Sequence, residues 1–129
     1  MNELRDLVRR FAEREIVPGL ADWERAGEVP RSLHAAAAKI GLLGIGYPEE
    51  VGGGGGSAID SATVTEELIL AGASSGLIAA LFTHGIALPH ILAAGDAVLI
   101  DRYVRPALAG ELIGCLALAG VFPLASTNA

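Results

Sequence analysis

The residues of this chain able to do chemistry are a run of five glycines, a pair of adjacent glutamates, three histidines, a few serines and one cysteine. Gly52 to Gly56 offer backbone N–H groups ahead of an apolar helical stretch, the arrangement that attracts anions at a helix N-terminus. The spacing fails that use. A G-x-G-x-x-G beginning at Gly52 needs glycine where Ser57 stands, no strand clearly precedes the run, and no lysine follows to reach a phosphate. The reading that remains is a flexible connection between helices, one that must be held by what surrounds it.

The other groups form no catalytic constellation. Glu66 and Glu67 are adjacent on a helix, so their side chains diverge by about 100° and cannot face one another as an acid/base pair. One is expected in solvent and the other against a cation. His34, His84 and His90 lack the i,i+4 spacing of a metal site and read as surface or internally satisfied helix histidines. Ser57, Ser74 and Ser75 sit in no G-x-S-x-G turn, and Cys115 has no basic neighbour to lower its pKa. No metal site is expected.

These residues need elements to position them, and the pattern is helical. Leu4, Leu7, Val8 and Phe11 recur at helical spacing opposite Arg5, Asp6, Arg9, Arg10 and Glu13, predicting a helix that ends near Pro18 and Gly19. Pro30 and Ser32 open a second, with Leu33, Ala36, Ala37 and Ile40 on one face and Gly41 as its stop. After the glycines, Ser57 or Asp60 caps a third, with Ile59, Thr63 and Leu70 along the expected buried side and Ser74 and Ser75 interrupting it. Leu77, Ile78, Leu81 and Phe82 mark a fourth. Gly85 and Pro89 perturb the segment after it, and Asp96 to Tyr103 reads as a short fifth helix before Pro106. From Glu111 the apolar run LIGCLALAGVF has no polar face and reads equally as the start of a buried β-strand. The expected fold is an all-α helical bundle.

Composition bounds the function. At 129 residues the chain is one domain or part of one, with 52% hydrophobic residues, 19% charged residues and a mean hydropathy of +0.50. That is more apolar surface than a lone domain of this size covers, so further chain, an oligomer or a membrane is implied. A net charge of −6 excludes a nucleic-acid binder. One cysteine and no apolar leader point to the cytoplasm. Leu68 to Leu88 holds no charged residue and is long enough to span a bilayer, but glycines, serines and His84 interrupt it and no basic or aromatic flank is present. A bundle helix is the expectation.

The order of these segments resembles the N-terminal helical domain of acyl-CoA dehydrogenases from Leu4 to about Leu118. Pro30, GLLGIGYPEE running into the glycines, Glu66 and Glu67, Pro89, Gly95 and AGELIG from Ala109 carry the likeness by shared order and spacing. The resemblance implies an FAD-dependent oxidoreductase of fatty acid oxidation. In that family a glutamate takes the α-proton of an acyl-CoA thioester, and flavin N5 accepts the β-hydride and passes electrons to an electron-transfer flavoprotein. It also implies a homo-oligomer, dimer or tetramer. By position it makes Leu81, Phe82, His84 and Leu88 candidates for the acyl-chain site, and Leu116, Leu118 and Ala119 candidates for flavin contact. Family members continue from this strand into Thr-Glu-Pro and a Gly-Ser-Asp segment, where this chain has Ala119, Gly120 and Val121. Residues 1–118 are thus expected to be the helical domain and 119–129 a non-matching tail. The middle β-domain, the C-terminal helical domain and the catalytic base would be absent, and the chain an inactive, truncated portion, cut deliberately or by a coding change near Ala119. The alternatives are a non-catalytic helical module docking on a separate flavoprotein subunit, or a small helical membrane protein.

Overall fold

A computed structural model describes residues 2–117. The first helix, α1 (Asn2–Phe11), runs on through a π-turn (Ala12–Ile16) and stops at Pro18 and Gly19, as its sequence pattern predicts. A helix the pattern does not predict comes next: α2 (Leu20–Ala26), ended by Gly27 in the left-handed region. Its signal is weak because only Leu20 and Trp23 turn toward the core, and the indole lies over Gly19, where a Cβ would come within 2.3 Å of the ring. The third helix is α3 (Arg31–Lys39), which buries Leu33 and Ala37 and ends at Ile40, with Gly41 at φ +82° as the expected stop.

The glycine run is a folded loop, which corrects the expectation of a flexible connection. Two short 3₁₀ turns, Leu42–Gly44 and Glu49–Val51, bring the chain back beside itself, and Ile45 pairs with Gly55 in a single parallel bridge. Gly53, Gly54 and Gly55 donate their N–H groups to the carbonyls of Pro48, Gly44 and Tyr47 at 2.8 to 2.9 Å, and Gly46 donates to Gly55 at 2.7 Å. These amides are committed to carbonyls and are not free to cradle an anion. Gly53 is required by close approach: a Cβ there would sit 2.2 Å from the Tyr47 carbonyl oxygen.

Ser57 then caps α4 (Ala58–Leu70) in a reciprocal box with Asp60, whose carboxyl those hydrogen bonds hold below its ordinary value. The buried face of α4 is Thr63, Val64, Glu67 and Leu68. This corrects the expected face, since Ile59 and Leu70 are 67% and 72% exposed. After Ala71 to Ala73, Ser74 caps α5 (Ser75–Phe82), and Thr83 separates it from α6 (His84–Ala94), which absorbs both Gly85 and Pro89. Asp96 caps α7 (Ala97–Leu99), a π-turn (Ile100–Val104) continues it, and α8 (Arg105–Leu108) takes Pro106 into its first turn, where the missing N–H costs nothing, so the helical path does not stop before it. Among the described residues the run after Glu111 forms no strand: Leu112, Ile113 and Leu116 are each more than 40% exposed.

Two clusters hold the fold. The larger joins Val8, Phe11 and Ile16 to Leu33, Leu42, Leu43, Val64, Leu68, Leu77 and Leu81, with α1 lying along α4. Each fully buried Leu or Phe contributes about 1.5 to 3 kcal/mol. The smaller packs Leu88, Val104, Ala107 and Leu108 under Tyr47 and Val51. The charged stripe of α1 is partly turned inward: Arg9 reaches Glu67 at 3.0 Å, and Arg5 holds Glu67 as well as Glu66 at 2.8 Å. Glu67 is 2% exposed, and the Arg5 guanidinium, helped by Arg9, keeps it ionised against the effect of burial. Both glutamates meet Arg5, but Glu67 is the buried one and Glu66 the exposed one, so the glutamate expected in solvent keeps a cation as well. Ser75–Ala94 together form a helical stretch long and apolar enough to cross a membrane by length and composition. In this fold its Leu77, Leu81 and Leu88 belong to the two clusters.

Candidate functional site

Three distant segments close around a cavity of about 430 Å³: the turn Leu42 to Tyr47, the first two turns of α4, and the α5–α6 junction. The fold makes this possible by two devices. The hydrogen bonds of the glycine loop fix the Tyr47 backbone, and His84, buried at the start of α6, donates Nε2–H to the Leu43 carbonyl at 2.9 Å. A carbonyl only accepts, so that nitrogen carries the proton, and burial lowers the imidazole's basicity below the ordinary value.

The walls are mixed. Leu43, Ile45, Val64 and Phe82 supply apolar surface, while Tyr47, Ser61, Thr65 and His84 supply polar atoms. Ser61 and Thr65 are one turn apart on α4, and each donates its hydroxyl proton to the carbonyl four residues back, at 3.4 and 3.2 Å. The Tyr47 and His84 rings are 5.8 Å apart between centroids and the Phe82 and His84 rings 6.3 Å, both tilted. The Tyr47 phenol, half-buried, is pushed above its usual range by burial alone. Such a space suits an extended apolar ligand fixed by few polar contacts.

Of the residues singled out from sequence, Phe82 and His84 line this cavity. Leu81 lies in the larger core, fully buried, and Leu88 in the smaller one. Leu116 stands 44% exposed beyond α8, while Leu118 and Ala119 lie outside the described residues. Sequence reasoning missed Tyr47, Val64, Ser61, Thr65 and Gly85; only the Ser61–Thr65 spacing on α4 gives a signal. His34 is buried too and donates Nε2–H to the Ala80 carbonyl at 3.0 Å, while His90 is exposed. Among the described residues no group of His, Cys, Asp and Glu could hold a metal ion.

This arrangement has close counterparts. The model of the acyl-CoA dehydrogenase N-terminal domain matches residues 1–111. The mitochondrial long-chain specific acyl-CoA dehydrogenase of Sus scrofa is 36% identical over 114 residues, 88% of this chain and 26% of its own. The mitochondrial short-chain specific enzyme of Mus musculus is 34% identical over 115 residues, 89% of this chain and 28% of its own. The crystal structure of a probable acyl-CoA dehydrogenase from Mycobacterium abscessus superposes with a TM-score of 0.85 at 65% identity, over 88% of this chain and 30% of that one. The chain thus spans between a quarter and a third of the length of these relatives. With helix order, glycine loop and buried Glu67 all lying inside the matched region, the chain belongs to the acyl-CoA dehydrogenase family, as its N-terminal helical domain.

Proposed function

We propose that this domain supplies one wall of the acyl-chain site in an FAD-dependent acyl-CoA dehydrogenase, an oxidoreductase acting on the CH–CH bond of acyl-CoA thioesters in fatty acid oxidation. The observation that carries the reading is the 430 Å³ cavity with Phe82 and His84 in its wall, inside the region matching the family. The helices do the positioning: α4 presents Val64 and Thr65, and the loop–His84 pair holds the opposite side at fixed distance. Family members are generally FAD-dependent, the flavin supplying hydride acceptance when bound. Of the three flavin candidates, Leu116 is exposed on irregular backbone, and Leu118 and Ala119 lie outside the described residues. The 129-residue polypeptide by itself is proposed to be inactive.

Exposed Ile86, Val98 and Leu99 on α6 and α7 fit a domain covered by further protein, consistent with the homo-oligomers of the family. An electron-transfer flavoprotein as acceptor and a cytoplasmic setting complete the proposal. The same exposed residues favour one second reading, a non-catalytic module that docks on a separate flavoprotein subunit; a pull-down recovering no flavoprotein would remove it. The main reading is tested by absorbance and dye reduction. The purified 129-residue chain should be colourless and reduce no artificial acceptor with acyl-CoA, whereas stoichiometric yellow protein or turnover would overturn the assignment of catalysis to other parts of the family fold.

A further inference from the structure

The polar groups of the cavity are not equivalent. Ser61 and Thr65 have their protons on backbone carbonyls, and His84 has its Nε2–H on Leu43. Tyr47 differs: among the described residues its hydroxyl has no partner, and burial is all that acts on it. Its oxygen lies beside Gly85, where an added Cβ would stand 3.9 Å away, and both residues line the cavity. The absence of a side chain at Gly85 keeps space open in front of this hydroxyl, a cavity side-chain donor without a partner among the described residues. Around it stand the Phe82 and His84 rings and the oxygen lone pairs of Ser61 and Thr65.

A half-buried hydroxyl facing an apolar chain loses its hydrogen bond to water and gains nothing in return. A ligand oxygen at this point restores that bond. We infer that the cavity is a subsite for acyl chains whose distal part carries an oxygen, a hydroxyl or keto group, with Tyr47 Oη–H as donor and Gly85 as the gap that admits it. This inference rests on the reading of the cavity as an acyl-chain site and adds the class of chain it takes. Tyr47 is a specificity residue here: its hydroxyl meets the oxygen of the chain, so its removal changes which chain binds.

The test is a cycle of binding constants, measured by calorimetry on the 129-residue chain with dodecanoate and ω-hydroxydodecanoate as probes, in the unaltered protein and in Tyr47→Phe. The ratio of the two dissociation constants should shift against the hydroxylated probe by about three- to tenfold in Tyr47→Phe, the worth of one hydrogen bond. Gly85→Ala, which adds a methyl without a clash and suits a helix, should fold and move the ratio in the same direction. An unchanged ratio in both variants, with both probes still bound, overturns the subsite and leaves the acyl-chain reading standing. Binding of dodecanoate without binding of ω-hydroxydodecanoate to the unaltered chain likewise overturns the subsite alone, and failure of both probes to bind it overturns both.

Discussion

Gly53 offers the sharpest test of whether the glycine loop is a built part of the domain. In Gly53→Ala the new Cβ would lie 2.2 Å from the Tyr47 carbonyl oxygen and 2.4 Å from its carbon, against the roughly 3.5 Å that non-bonded atoms prefer. The two strands of the loop must therefore separate by about 1 Å. That gap is spanned by four backbone hydrogen bonds: Gly53 to Pro48 at 2.9 Å, Gly54 to Gly44 at 2.8 Å, Gly55 to Tyr47 at 2.9 Å and Gly46 to Gly55 at 2.7 Å. Losing two of them, at about 1 kcal/mol net each, with the packing of Tyr47 against Leu88 and its neighbours disturbed, gives a loss of about 2 to 3 kcal/mol. For a chain of this size that lowers the melting temperature by on the order of 10 °C. Gly54→Ala is the matched control. Its Cβ meets nothing nearer than 3.8 Å and its φ lies outside the left-handed region, so stability should stay within about 1 kcal/mol and rise if it moves, through the stiffer unfolded chain. The assay is thermal and urea unfolding followed by circular dichroism. Equal stability of the two variants would refute the reasoning, because a slack connection cannot tell the neighbouring positions apart.

Three further outcomes are expected. Ser57→Ala removes the cap of α4 and should cost about 0.5 to 2 kcal/mol in the same unfolding assay. Leu68→Ala should cost about 2 to 5 kcal/mol, since Leu68 is fully buried, while Leu70→Ala, only two positions on but 72% exposed, should change stability by no more than about 0.5 kcal/mol. Stability should also fall on acidification in two stages. The folded state holds His84 below the ordinary imidazole value of 6.5, so its contribution is complete above that pH and is lost as pH drops below it through the folded value; His84→Gln removes this stage. Glu67, held below 4.5 chiefly by Arg5, gives a second loss of the same sign further down the pH scale, visible in urea midpoints taken across pH.

How much of the fold is legible in the sequence tracks the reach of local signals. The all-helical class, the stop at Gly41, the cap at Ser57 and the split fates of Glu66 and Glu67 all rest on spacings of four residues or fewer, and these are readable. The second helix is not, because Leu20 and Trp23 are too few apolar residues to set a period and the indole packs on a neighbouring glycine. The α4 face is rotated from its expected side because Ile59 and Leu70 look like core by type, while Glu67, charged by type, is the buried residue once Arg5 and Arg9 arrive from 58 to 62 positions away. The order in the glycine loop is invisible for a related reason: backbone N–H and C=O groups hold it, and glycine spells none of that out. The cavity lies further still from view. Its walls come from residues 42–47, 58–65 and 82–85, so Phe82 and His84 can be named through family resemblance, while Tyr47 and Gly85 emerge only when the segments meet.

The role of the cavity can be read directly from amide chemical shifts of the isotope-labelled 129-residue chain titrated with dodecanoate. Saturable shifts centred on Tyr47, Ser61, Thr65 and Gly85 are the predicted result. Shifts confined instead to the smaller pocket of Trp23, Gly27 and Gly76, or no saturable shifts, would contradict the assignment of this cavity to the acyl chain.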